Sequence, residues 1–184
     1  MPFTINGIGT WYYGKRHIHT HDGTCQFCGS AGTLSSYDTT LFIVVVFVPV
    51  IPLGRKRILE ECPYCRKHRV LGLGQWEAAK EADVGGVLDR LRRDPGDRDA
   101  AERGVALAAG YQDEPLLDEI VAMTGGAHRR DAAFQAQLGD TYAFFARWPK
   151  AEQAYRAFLT IAAGQFPDQE FQAKHRLIAL EHTK

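Results

Sequence analysis

The chain contains four cysteines, arranged as two C-x-x-C pairs, Cys25-Gln26-Phe27-Cys28 and Cys62-Pro63-Tyr64-Cys65. Two residues between paired thiols let both sulfurs turn toward one point, and two such pairs supply the four thiolates of a tetrahedral zinc site with bonds of about 2.3 Å. One structural Zn²⁺ on Cys25, Cys28, Cys62 and Cys65 is therefore expected. A complete thiolate shell leaves no open position for water or substrate, so Lewis-acid catalysis at that ion would require a ligand to leave. Two structural disulfides, or a thioredoxin-like redox pair, are the competing uses of the same residues. Neither pair sits in a βαβ pattern, and Met1 to Asn6 lacks the basic and apolar regions of a secretion signal; the reducing cytoplasm, which favours metal, is the expected location. Gly29 follows the first pair, where a residue with φ > 0 is often needed, whereas Arg66 follows the second and suits that conformation less well.

The 33 residues between Cys28 and Cys62 exceed the usual spacing of a compact four-cysteine site, so this insert has to fold back on itself, as a β-meander does. Its centre, Leu41 to Gly54, is the most apolar stretch of the chain. As a helix these fourteen residues would reach only about 21 Å of a hydrocarbon core about 30 Å thick, and Pro49 and Pro52 would break such a helix. No transmembrane segment is expected here. The run reads instead as a strand buried on both faces over residues 41 to 48, covered by the helical half or by a second copy of the chain in a homo-oligomer. Thr33 to Tyr37 reads as a short strand, Asp38 to Thr40 as a turn, and Arg55 to Glu61 as the return strand. Upstream, residues 3 to 13 read as an irregular strand or strand pair. His17, His19 and His21 alternate and would share one strand face; three imidazoles there are a candidate second metal site, but no acid or cysteine completes the set, and a solvated strand edge is the preferred reading.

Gly7-Ile-Gly9, the first C-x-x-C, the segment Phe47-Val-Pro-Val-Ile-Pro-Leu-Gly54, the cations Arg55 to Arg57 and a closing C-P-x-C together resemble a family of small zinc-ribbon proteins over roughly residues 3 to 73. The resemblance implies the same four cysteine ligands and a proline-containing turn between two strands. It departs at Arg66, where the family commonly has glycine, and it implies no particular activity.

From Gln75 onward Ala, Glu, Leu, Arg and Gln dominate and the apolar period becomes helical. Gly72 to Gly74 marks the expected boundary between a domain at 1–73 and a helical one at 75–184. Helices are expected at 76–82 and 84–93, interrupted at Gly85-Gly86, at 98–109 with Asp97 as cap, and at 115–123 with Leu116, Leu117, Ile120 and Val121 inward. Leu138-Gly139-x-x-Tyr142, followed by Ala151 and Tyr155, resembles a tetratricopeptide repeat over about residues 131 to 164, with Gly139 and Ala151 at the close approach of two helices. It departs at Gln135, near the usual tryptophan, and at Phe158, where a small residue is usual; an ordinary helical hairpin is the plainer alternative. Residues 106 to 123 form a weaker copy, and 169 to 181 a terminal helix in which Phe171, His175, Leu177 and Leu180 would cap the stack. The expected fold class is thus α+β, a zinc-ribbon meander followed by a helical-hairpin domain.

No phosphate-binding loop, nucleophile elbow or H-E-x-x-H motif occurs, and a non-enzymatic role as a protein-interaction or scaffolding module is the leading expectation. Nucleic-acid binding is the alternative. Residues 1 to 75 hold eight Lys and Arg against four acids; Arg55–Arg57 and Arg66–Arg69 are expected beside the two ends of the meander, with Trp11, Tyr12, Tyr13, Phe27 and Tyr64 as candidate stacking platforms. Some of those cations would screen the doubly negative zinc–thiolate centre, and the remaining residues carry 14 cations against 18 acids. A redox or metal-responsive switch at the cysteines is the second alternative.

Overall fold

The computed structural model describes residues 4–5, 7–124, 126–164 and 167–181, with residues 180 and 181 described by their backbone alone. Phe3, and the contribution of Leu180 to the terminal helix, therefore lie outside the described residues. The chain is α+β and divides into two compact units, Met1–Glu81 and Ala82–Lys184.

The first unit is a curled antiparallel sheet of β1 (Thr4–Ile5), β2 (Ile8–Thr24), β3 (Ala31–Val45), β4 (Val48–Glu61) and β5 (Arg69–Gly72), in the order β1-β2-β3-β4-β5. Every pairing joins sequence neighbours, the meander that the cysteine spacing calls for. The strands are longer than the residue pattern suggests. Asp38 to Thr40 is not a turn: Asp38 sits in mid-strand opposite Arg57 of β4, because the buried partner satisfies a charge that otherwise reads as a turn signal. The reversal comes at Val46-Phe47, whose φ angles of 51° and 64° are left-handed. A two-residue hairpin of type I′ needs such angles at both positions, and Asn-Gly is the usual choice; Val-Phe carries no turn signature at all. Tyr13 Oη donates to Phe47 O and pins the turn.

The apolar run is not buried on both faces. Val44 is fully buried, but Val45 to Leu53 are exposed, with Val46 at 71% and Phe47 at 59%. Alternation fails here because both faces are apolar, and the run reads as a doubly buried strand whether or not anything lies over it.

The helices are α1 (Leu73–Arg93), α2 (Arg98–Tyr111), α3 (Glu114–Thr124), α4 (Ala132–Phe144), α5 (Trp148–Ala162) and α6 (Pro167–Glu181). α1 follows β5 directly and runs unbroken through Gly85-Gly86, a correction to the expected interruption; glycine lowers helix stability by about 1 kcal/mol relative to alanine but does not forbid the conformation. Asp97 caps α2 by accepting from Ala100 N, and Asp131 caps α4 by accepting from Phe134 N. The second unit packs around Leu91, Val105, Leu117, Ile120, Tyr155 and Phe158. α4 and α5 form a hairpin in which Gly139 lies against Tyr155: a Cβ at 139 would come within 2.5 Å of the ring. Pro149 stands in the first turn of α5, where its missing N–H costs least. In α6 it is Ala173 that is buried, while Phe171 is exposed with its ring tilted against that of His175, centroids 4.3 Å apart, so Phe171 does not cap the stack as expected.

Candidate metal centre

Both knuckles lie at one end of the sheet. The first leaves β2 after Thr24 and enters β3 at Ala31; the second leaves β4 after Glu61 and enters β5 at Arg69. Their backbones repeat one hydrogen-bond pattern. Cys25 N donates to Ser30 O at 2.9 Å and Gly29 N to Cys25 O at 2.8 Å, while Cys62 N donates to Lys67 O at 3.1 Å and Arg66 N to Cys62 O at 3.0 Å. Gly29 and Arg66 hold the matching left-handed positions, with φ of 70° and 58°. Arginine thus adopts the glycine conformation, at a cost of about 1–2 kcal/mol, and the departure seen in sequence leaves the knuckle geometry intact.

The four sulfurs of Cys25, Cys28, Cys62 and Cys65 lie within 4.8 Å of one another. Cys25 Sγ is 3.7 Å from Cys65 Sγ, and Cys28 Sγ is 3.8 Å from Cys62 Sγ. A tetrahedron with metal–sulfur bonds of about 2.3 Å has edges of about 3.8 Å, so the sulfur spacing fits a metal ion. These contacts also cross between the pairs, whereas a disulfide needs a bond of about 2.05 Å. Phe27 N points at Cys25 Sγ from 3.4 Å, an outer-shell donor to a thiolate. Cys25 and Cys62 are buried with Leu34 in a small core, and Cys28 is exposed.

Hydrogen bonds from the backbone and side chain of Ser30 lower the Cys28 thiol to about 6. At Cys65 the Lys67 backbone N–H works in the same direction, but burial and the neighbouring sulfurs prevail and raise it to about 11. Four sulfurs this close cannot all ionise without a cation between them, and a bound divalent ion supplies it.

The histidines do not assemble into a second centre. β-Bulges between Tyr13 and Arg16 and between Arg16 and His19 break the alternation, and His17, at φ 48°, turns to Asp38, its Nδ1 lying 2.7 Å from Oδ2. His19 and His21 stack with ring centroids 6.1 Å apart. Among the described residues, the cysteine tetrad is the group of three or more metal-ligating side chains brought together.

Sequence reasoning missed the charge cluster in mid-sheet. Arg57 Nη1 donates to Asp38 Oδ1 at 2.9 Å, both side chains are nearly buried, and the guanidinium stacks 5.8 Å from the Trp76 ring centroid. Only the strand register, β3 against β4, brings these residues opposite one another. Arg57 is thereby removed from the set of surface cations, and Arg69 is paired with Glu60 at 3.0 Å. Phe27, Tyr64 and Trp11 are exposed, whereas Tyr12 and Tyr13 are half-buried, the Tyr12 ring 6.0 Å from that of His68, so the five expected stacking platforms are not all open to solvent.

The second unit holds a cleft of about 650 Å³ between α3, the following loop, α4 and α5, lined by Val121, His128, Phe134, Leu138, Tyr142 and Lys150 among others. His128 is buried against Phe134, ring centroids 5.0 Å apart. No described helix is long and apolar enough to cross a membrane. No family model, curated protein or solved structure matches the chain. The likeness to small zinc-ribbon proteins accordingly rests on the residues that carry it.

Proposed function

We propose that this is a non-catalytic zinc protein whose helical unit docks another protein. Zinc is favoured over other ions by the all-thiolate donor set and the tetrahedral sulfur spacing, and its role would be to close the sheet rather than to react. The cleft between α3, α4 and α5 carries the reading for the helical unit. It is mainly apolar, with a few polar groups at its rim, and is large enough for one or two apolar side chains of a partner segment. The glycine-to-tyrosine contact between α4 and α5 supports a tetratricopeptide-like hairpin.

The test uses the full chain and its Ala157→Arg variant, which places a long cation in the cleft. Isolation of a protein partner that binds the wild type, and that binds the variant at least about tenfold more weakly with an unchanged circular dichroism spectrum, supports the proposal. Nucleic-acid binding remains the second reading because exposed Phe27 and Tyr64 lie near Arg66 and Lys67. Submicromolar binding of DNA or RNA that falls steeply with salt, is lost in Tyr64→Ala with Lys67→Glu and is unaffected by Ala157→Arg would replace the first reading with this one.

A further inference from the structure

The end of the sheet remote from the cysteines is uncharged. No Asp, Glu, Lys or Arg occurs from Thr4 to Gly14 or from Thr39 to Gly54. The strand register stacks these residues in rows across the sheet: Ile8, Val45 and Val48 nearest the turn, then Thr10, Ile43 and Ile51, then Trp11, Phe42 and Pro52, then Tyr13, Thr40 and Arg55. Along the register the residues thus grade from aliphatic at the tip, through an aromatic band, to cations, with Tyr13 reaching back to Phe47 O at the turn. Arg16, Arg55 and Lys56 stand at that last level and form no ion pair among the described residues, while Asp38, the one acid at their height, is buried on Arg57.

Successive residues of a strand point to opposite faces, and every residue from Val48 to Leu53 is exposed. Both faces of β4 at this end are therefore apolar and open, with Ile5, Ile8, Trp11 and Val45 exposed on the neighbouring strands, while Val44 is buried and Leu41 to Ile43 are half-buried. A protein docking on a sheet covers one face or one edge; a fluid apolar medium surrounds both. We infer that the Val46-Phe47 end of the sheet inserts into the surface of an anionic lipid bilayer, with the exposed Trp11 at the headgroup level and Arg16, Arg55 and Lys56 on the lipid phosphates and carboxylates.

Insertion is shallow. β5 pairs with β4 only from Lys56 to Leu59, so among the described residues the outer edge of Val48 to Gly54 has no neighbouring strand, and unpaired backbone is excluded from the hydrocarbon centre. Pro49 and Pro52 carry no N–H and reduce the number of donors on this strand. The remaining polar backbone stays within reach of headgroups and water, as for other interfacial elements. Self-association through the same end is less well served. It would leave the ring of like charges around the contact without opposite charges to meet, whereas an anionic surface supplies them.

The test is co-sedimentation of the full zinc-loaded chain with vesicles of phosphatidylcholine alone or mixed with phosphatidylserine. Val46→Asn with Phe47→Gly removes the two exposed apolar side chains of the turn and supplies residues that prefer its left-handed angles, so the sheet keeps its fold. Wild type should pellet with the mixed vesicles and this variant bind at least about tenfold more weakly; Arg16→Glu with Arg55→Glu should abolish the preference for phosphatidylserine, also by about tenfold or more. Wild-type protein that stays in the supernatant with both vesicle types overturns the inference, as does a tip variant that pellets like the wild type. A wild-type dimer in sedimentation equilibrium that the tip variant dissociates, with no vesicle binding, assigns this end to a second copy instead.

Discussion

Gly139 and Tyr155 set the spacing of α4 and α5. The Tyr155 ring is buried and its hydroxyl donates to Asp140 Oδ1 at 2.7 Å, so it cannot swing aside to admit a methyl group. Gly139→Ala should therefore destabilise the helical unit by about 1–3 kcal/mol through overpacking, outweighing the gain of up to about 1 kcal/mol in helix propensity. Urea unfolding followed by helical circular dichroism measures it; an unchanged midpoint would mean that the two helices separate freely. Arg66 makes the opposite kind of point. Its left-handed angle is imposed by the turn and not by its side chain, and the hydrogen bonds around it match those around Gly29.

Elements were legible in sequence where one local signal decided them. Asp97, the Pro95-Gly96 stop and the stripe of Leu116, Leu117 and Ile120 mark the ends and faces of α1 to α3 by chemistry that acts within a turn or two. The four cysteines were legible for a similar reason, since their spacing is itself the geometry of the site. Three features were not. The Val46-Phe47 turn has no turn residue, the Asp38–Arg57 pair exists only once β3 and β4 are in register, and β5 is four residues whose strand character comes from pairing with β4. α1 shows the converse error, a local signal overruled by its surroundings. A Cβ on Gly86 would meet no atom within 4 Å and the residue is exposed, so Gly86→Ala should stabilise α1 by about 0.5–1 kcal/mol. A rise of a few degrees in the thermal midpoint is the expected reading; a fall would show that the helix needs flexibility there.

On the scale of the whole molecule, each unit has its own buried cluster, one small and next to the sulfurs, the other large and helical. Removing the metal with a strong chelator should therefore release amide protection in the sheet and leave it in α2 to α5; simultaneous loss in both would show one cooperative body. Elemental analysis beforehand should give one zinc per chain, and Cys62→Ser should lose it while retaining the helical signal. The neighbour-to-neighbour order of the strands also has a consequence in time. Synthesis at about 5–20 residues per second delivers Cys62 and Cys65 roughly 2–7 s after Cys25 and Cys28, while β2 and β3 can already pair as they emerge. During that interval the nascent chain offers a half-site of two thiolates, able to hold an ion loosely or to be oxidised, and the ribosome's pace decides how long that exposure lasts.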